Sequence, residues 1–341
     1  MIVRSFVNGF EVQDWTQELN VIPNAWGTIG QMGIFTEESV AEAVVIFEEI
    51  QQNGGLIVDR KRGERASVNG PYTRKLHTFP VPHFPLDDAI FPKDIQGKRA
   101  YGSQNVETLD LLRARRMERI RRDHAWTLET ARAQIITAGT VYAPNGTVSQ
   151  DWNAEFGVTR TSVDFTLGTT TTEMVTNVEK GIAAIQDNLL GATMTGTVVL
   201  CSPKFFSRFI VHPTVKTAYQ YFSANPGQNP LRERLGGNAT RHRTFDYAGT
   251  TFIEMRDNYN GTQLFPDSTN GQAWMVPVGS DIFKTFFAPC EKFDLVNTLG
   301  EQVYMFEYAS LKGDKIEIET ESNFVNALFR PAVVVNFTSS N

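Results

Sequence analysis

The sequence is poor in the residues that usually announce chemistry. Its 341 residues hold two cysteines, Cys201 and Cys290, which is no disulfide framework. Cys201 closes the apolar run "TVVL" and reads as the inert thiol at the end of a buried strand. Such sparse cysteine use suits a reducing cytoplasm. The five histidines, His77, His83, His124, His212 and His242, show no metal-ligand spacing. His83 near Asp87 and Asp88 comes closest, and it reads better as part of a proline-rich leg with solvated acids. "GTIGQMG" (27–33) lacks the Lys-Ser/Thr end of a phosphate loop and follows no clear strand. There is no GxSxG. A Cys201/His212 nucleophile pair would need a lowered thiol pKa, and apolar neighbours raise it. No run approaches the ~20 apolar residues of a membrane span. The opening "MIVRSFVNGFEVQDW" has neither the apolar core nor the cleavage site of a signal peptide. The expectation is a soluble protein made inside a cell, with no enzyme signature, no cofactor, no metal and no membrane.

What is present is material for large cores and a marked segregation of charge. Apolar residues make up 41% of the chain and aromatics 11%, with 24 Phe, enough for one large or two ordinary domains. The net charge is −6, yet bases cluster in two places. Between Val58 and Lys75 six bases (Arg60, Lys61, Arg62, Arg65, Arg74, Lys75) face two acids, Asp59 and Glu64. Gly63 and Asn69-Gly70-Pro71 are turn signals there, and Pro80, Pro82, Pro85 and Pro92 follow. The segment reads as a basic two-stranded excursion, too long for a loop inside a compact domain. The second cluster is "DLLRARRMERIRRDHAWTLETA" (110–131), where six arginines between Arg113 and Arg122 are opposed only by Glu118. It lies in an uninterrupted helical pattern over 106–136, on the order of 45 Å long. Leu109, Met117, Ile120, His124, Leu128, Ala131 and Ile135 share one arc about 100° wide, with Arg115, Arg119 and Arg122 on the far side.

Elsewhere the reading is coarser. Residues 1–38 carry turn residues and no long periodic element, as an extended arm would. "SVAEAVVIFEEI" (39–50) is ambiguous between helix and strand. Asn145-Gly146 between "TVYA" and "TVSQ" predicts a type I′ hairpin. Residues 158–170 read as a threonine-rich linker. "TTEMVTNVEKGIAAIQDNLLG" predicts a helix capped by Thr171 or Thr172 and closed by Gly191. "GTVVLCS" predicts a buried strand, and Ser202-Pro203 the start of a helix, with a short second helix around "PTVKTAYQYF". From Gly236 onward, runs such as "TTFIEM", "AWMVPV", "VYMFEYA", "KIEIETES", "NALF" and "AVVVNF" predict strands. From Asp281 to Glu321 nine acids oppose four bases, so the C-terminal part is acidic where the excursion and long helix are basic.

The basic face of the helix fits three uses: a solvated surface, a DNA contact, or ion pairs across a subunit boundary. DNA readers are usually basic overall, and single-strand binders need more aromatics than Tyr72 near the excursion's tip. Opposite charges on different segments instead favour docking between copies.

The order of elements, with "ETARAQIITAGTVYAPNGTV", "VVLCSPKFFSRFIVHPTVKTAY", "LFPDSTNGQAWMVPVG" and "ESNFVNALFRPAVVVNF", resembles the major capsid proteins of tailed phages, in their lambda-type "protein E" branch. The likeness runs over essentially the whole chain. It implies an α+β, HK97-like capsid fold: an N-terminal arm (1–38), a P-domain strand (39–51), an E-loop (52–90), a P domain (91–167) with a spine helix (106–136) and a hairpin (140–150), an A domain (168–300), and C-terminal strands (301–341) returning to the P domain. It also implies self-assembly into hexamers and pentamers of an icosahedral shell around double-stranded DNA, through a procapsid that expands. Implied partners are other copies of the chain, a scaffolding protein, a decoration protein, the portal and DNA bound non-specifically. The implied location is the virion, and the host cytoplasm during assembly. Arg60, Lys61, Arg62, Arg65, Arg74 and Lys75 on the loop, and Arg115, Arg119 and Arg122 on the spine, are the expected contacts between subunits. An encapsulin-like compartment is the alternative within the fold, and a cytoplasmic enzyme the alternative outside it.

Overall fold

The computed structural model describes residues 2–7, 10–21, 27–51, 73–96, 108–222, 242–259, 261–310 and 313–341. Two sheets organise them. The larger has seven strands: β1 (Ile2–Val7), β2 (Phe10–Asp14), β3 (Thr36–Ser39), β6 (His83–Ile90), β14 (Phe283–Phe287), β15 (Tyr304–Ala309) and β16 (Ile316–Leu328). The smaller has six, ordered β7 (Ser162–Asp164), β17 (Val335–Thr338), β13 (Gln272–Val278), β8 (Gly196–Cys201), β10 (Thr250–Glu254) and β9 (Thr244–Tyr247). Between β3 and β6, β4 (Val44–Gln51) and β5 (Thr73–Pro80) pair antiparallel as a separate ribbon, with Val44 opposite Pro80 and Gln51 opposite Thr73. β11 (Asn258–Tyr259) pairs antiparallel with β12 (Thr262–Gln263). The helices are α1 (Thr16–Val21), α2 (Thr28–Gln31), α3 (Leu109–Thr137), α4 (Trp152–Glu155), α5 (Met174–Asn188), α6 (Pro203–Val211) and α7 (Pro213–Phe222).

The long strand β16 and the helix α3 form the frame of the larger sheet. The first half of β16 lies between β15 and β6, and its second half pairs with β14. Alternation along a strand sends successive side chains to opposite faces. Ile318 therefore packs with Met117 and Ile120 of α3, together with Leu19, Ile90, Val303 and Met305. Glu317, Glu319 and Glu321 occupy the other face, across from Tyr308, Phe306 and Tyr304 of β15. The helix itself starts on Thr108, whose side chain accepts from the Leu111 amide at 3.3 Å, satisfying one of the unpaired N–H groups at a helix start.

The smaller sheet is an apolar core. Val199, Leu200 and Cys201 of β8 are fully buried, as are Phe205, Phe206 and Phe209 of α6. Helix α5 closes on the sheet at Gly181, where a Cβ would lie 2.7 Å from Phe337 and 2.8 Å from Met275. Only glycine permits that approach.

Several expectations need correction. Residues 1–38 are not an extended arm: β1 and β2 extend the larger sheet through β15, and α1 and α2 follow. Residues 83–90 belong to the body as β6, because His83 through Ile90 pair with Asn323 through Ile316; an excursion over 52–90 is therefore too long. The segment 168–300 does not stay in one sheet, since β14 pairs with β16. The "linker" 158–170 and the C-terminus cross the other way, β7 pairing with β17 in the smaller sheet. "KIEIETES" and "NALF" are one strand of 13 residues. The expected hairpin at 140–150 joins neither sheet. Its only ladder is the bridge Thr140–Asp151, with Val141 N donating to Gln150 O at 3.0 Å. The turn is shifted one residue earlier than type I′ requires, because proline suits the first central position of a type I turn. The Gly146 amide donates to Ala143 O at 2.9 Å, and Gly146, not Asn145, takes positive φ. Helix α5 begins at Met174 after Glu173, one residue beyond the expected caps, and ends at Asn188, before Gly191. Ser202 stands at the start of α6 but makes no side-chain cap; its hydroxyl accepts from the Gln272 amide at 3.1 Å.

Candidate assembly surfaces

The six arginines between Arg113 and Arg122 divide into two groups. Arg113 forks onto Glu307 of β15 at 2.7 and 2.8 Å and reaches Asp110 at 2.8 Å. Its guanidinium stacks over Trp15, 5.0 Å from the ring centre, and the hydrogen bonds to Glu307 raise its pKa further. Arg116 holds Asp88 of β6 at 2.9 Å. Arg121 is buried and donates to Gln302 at 2.7 Å and Asn20 at 3.3 Å; desolvation lowers its pKa against the pull of Glu37. These three fasten α3 to its own sheet and to α1. The other three, Arg115, Arg119 and Arg122, are exposed. Arg119 lies 3.8 Å from Asp123 one turn on, an exposed pair that contributes little. Sequence alone could not sort the six, because the acids that claim Arg113 and Arg116 come from distant strands.

The ribbon has two unlike faces. One is packed onto the body: Val45 and Phe79 are buried, and the Phe47 ring meets Phe286 and Phe329 at 5.3 and 4.8 Å. His77 is buried there too, with Nδ1 2.6 Å from Glu155 Oε1. That contact lowers the pKa of Glu155. Lys75 also turns to the body, donating to Glu155 O at 3.2 Å. Arg74 stays on the ribbon, 3.8 Å from Glu48. The outward face carries Val44, Ile46 and Leu76, all exposed. Of the expected loop contacts, Arg60, Lys61, Arg62 and Arg65 lie outside the described residues.

No catalytic constellation emerges among the described residues. Both thiols are buried, and burial pushes the Cys290 thiol up to about 12 and that of Cys201 well above its ordinary value. His212, the partner considered for Cys201, spends Nδ1 on Thr214 at 2.8 Å and Nε2 on Thr169 O at 2.9 Å, so that pair does not form. No three His, Cys, Asp or Glu side chains converge among the described residues, and no described helix is long and apolar enough to cross a membrane.

With chemistry of this kind absent from the described surfaces and charged, apolar projections present, comparison with known proteins decides the family. The family model for phage major capsid protein E matches residues 11–339. The chain belongs to the phage major capsid protein E family. Among curated relatives, the major capsid protein of Pseudomonas phage KPP10 is 43% identical over 348 residues, covering 98% of both chains. That of Salmonella phage Felix O1 is 26% identical over 371 residues, again covering 98% of both. In three dimensions the chain is similar to the asymmetric unit of the bacteriophage PhiM1 mature capsid. The TM-score is 0.52 at 14% identity, covering 91% of this chain and 86% of that one, a likeness of fold. The fold is therefore the HK97-like capsid fold, and this capsid protein belongs to a structural family, not an enzyme family.

Proposed function

We propose that copies of this capsid protein close into the icosahedral shell of a tailed phage, as hexamers and pentamers enclosing double-stranded DNA. The observation that carries the reading is the ribbon: it is anchored on one face, and on the other it holds three apolar side chains outward, exposed among the described residues. Apolar surface left in water is unfavourable, and contact with another copy removes it. In this reading the seven-stranded sheet with α3 is the P domain, the six-stranded sheet with α5 to α7 is the A domain, and the ribbon with the chain between its strands is the E-loop. Arg60, Lys61, Arg62, Arg65 and Arg74, with Arg115, Arg119 and Arg122, meet acids on neighbouring copies. Lys75 acts at the ribbon's root on its own body. Assembly runs in the host cytoplasm through a procapsid with a scaffolding protein, followed by expansion, and a decoration protein and the portal complete the virion. Expansion suits long elements that reorient as units. A net charge of −6 fits a wall to which packed DNA does not adhere.

The test is direct. Expressed chain, with its scaffolding protein if needed, is sized and imaged by negative stain. Closed shells tens of nanometres across are expected. A stable monomer or dimer under all such conditions overturns the reading. Reversing Arg62 and Arg65 to Glu is expected to leave the chain soluble and abolish closure.

A further inference from the structure

A cleft of about 410 Å³ opens between the start of β6, the middle of α3 and the turn at 142–147. One wall belongs to a row of rings. Tyr142 lies 6.1 Å from Phe84, inclined by 21°, and Phe84 lies 4.7 Å from Phe324, inclined by 20°. Phe324 is buried, whereas Phe84 and Tyr142 are half-buried and line the cleft. Leu86 and three prolines, Pro82, Pro85 and Pro144, add to the apolar lining. Prolines have a fixed φ and no N–H. These segments therefore hold the shape of the cleft and offer it carbonyls but few donors. A preformed apolar cavity of this size suits a small molecule.

One buried polar side chain in the lining is left half-satisfied. His124 lines the cleft and is only 5% exposed. Its Nε2 lies 3.0 Å from Thr320 Oγ1, and the Thr320 hydroxyl gives its own proton to Leu86 O, so the proton of the ring sits on Nε2. Nδ1 is then a bare acceptor, and it makes no hydrogen bond among the described residues. Burial lowers the pKa of the ring to about 4, so the lone pair persists at neutral pH. An occupant must bring a donor. Buried water needs about two to four polar partners, and a wall of Phe84, Leu86 and prolines offers carbon instead. A cation is disfavoured, because the acids nearby already have theirs: Arg119 stands 3.8 Å from Asp123 at the rim, and Arg116 holds Asp88 at 2.9 Å. We propose that the cleft binds a small neutral aromatic of the indole class, its ring against Tyr142 and Phe84 and its ring N–H donated to Nδ1 of His124. Aromatic rings favour such offset stacking. The site lies within one copy, so the inference does not depend on how copies assemble.

The experiment uses the full-length, unassembled subunit and two probes. Indole carries the donor, and benzofuran has the same shape with an oxygen in place of the N–H. Titration calorimetry is expected to show saturable indole binding, with benzofuran weaker by about fivefold or more. In the subunit labelled with nitrogen-15 at histidine, the Nδ1 resonance of His124, assigned by its loss in His124→Gln, is expected to move with indole and to stay in place with benzofuran. No saturation by indole up to about 5 mM overturns the proposal. Equal affinity for the two probes overturns it too, as does indole binding that leaves the His124 resonance unmoved. Tyr142→Ser, a change at a half-buried turn residue, is expected to preserve the melt and weaken indole binding. Undiminished binding in that folded variant places the probe elsewhere and overturns the site.

Discussion

The two halves of α3 use the same residue types in opposite ways. From Leu109 to Arg122 the helix buries one stripe and keeps the rest in water; Arg113 and Arg116 reach across the surface to sheet acids, Arg115, Arg119 and Arg122 remain exposed, and Arg121 alone turns inward, to Gln302 and Asn20. From Asp123 to Thr137 the helix is enclosed on most sides. His124, Ala125, Trp126, Leu128, Glu129, Ala131, Arg132, Ala133, Ile135 and Ile136 are all buried. Arg132 donates to Glu37 at 2.7 Å and to Thr285, and lies 3.6 Å from Glu129. Glu129 in turn accepts from the amides of Ile29 and Gly30 at 2.9 and 3.1 Å, pinning α2. The end of the helix is closed by Arg160, whose guanidinium donates to the carbonyls of Ile135 and Ile136 at 2.9 and 2.5 Å. Five of the six arginines in the first half serve a surface, Arg121 being the exception, whereas Arg132 in the second half holds the interior together.

The sharpest way to break this contrast is Arg132→Ala. Burial already raises the pKa of Glu129, and removing Arg132 leaves that carboxylate without its counter-charge. Breaking a buried pair costs about 3–5 kcal/mol, read as a loss of unfolding free energy in denaturant titrations of the subunit. Because a raised carboxyl pKa means that protonation favours the folded state, stability in this variant is expected to fall as pH rises through the pKa of Glu129 in the folded protein.

Next in size is the pH response of His124. Burial lowers its pKa to about 4, with the charge of Arg121 adding to the effect. Its Nε2 lies 3.0 Å from Thr320 Oγ1, and the Thr320 hydroxyl itself donates to Leu86 O, so the ring donates as a neutral imidazole. The folded value lies below the ordinary one of 6.5. His124 therefore costs nothing above pH 6.5, and stability drains as pH falls from there toward 4. The full loss is about 3 kcal/mol. His124→Gln, which keeps a donor, is expected to remove that part of the slope when melts are compared between pH 7 and 4.

The contrast also marks what the sequence could reveal. The apolar arc through Leu109, Met117, Ile120, His124, Leu128, Ala131 and Ile135 follows from the period of 3.6; six of the seven are buried and Leu109 is half-buried. Runs such as "TVVLC" and "AWMVPV" are strands for equally local reasons. Arg132 and Glu129 are different. At a spacing of three they look like a solvated ion pair, and only contacts with Glu37, Thr285 and the amides of Ile29 and Gly30 make them interior. The crossing of β7, β14 and β17 between sheets was equally hidden, since a strand's partners lie far away in sequence. Of the candidate surfaces, the basic cluster was visible from composition. The exposure of Phe293, Val296 and Leu299 was not, because a short aperiodic "FDLVNTL" does not say which of its apolar residues face water.

Arg160→Ala comes third. It removes three charge-assisted bonds to carbonyls in the last turn of α3, those of Ile135, Ile136 and Thr137, and hydrogen bonds to charged groups contribute about 1.5–3 kcal/mol. Arg160→Lys is expected to restore only part of the loss, because an ammonium lacks the planar fork that spans two carbonyls. Hydrogen exchange should report fraying confined to the last turn of α3.

The smallest effect on folding is expected from Arg119→Glu, in the first half. Its pair with Asp123 is exposed, so the subunit's stability should change by about 0.5 kcal/mol or less. If the exposed arginines of α3 face neighbouring copies, that near-silent change in the melt is accompanied by a clear fall in particle yield, and the fall is partly reversed by lowering the salt-sensitive repulsion with added salt. A variant that loses stability by several kcal/mol would place Arg119 with the interior fasteners of the second half. One that keeps both stability and yield would leave it a solvated charge, and the division of α3 into a surface half and an enclosed half would then rest on burial alone.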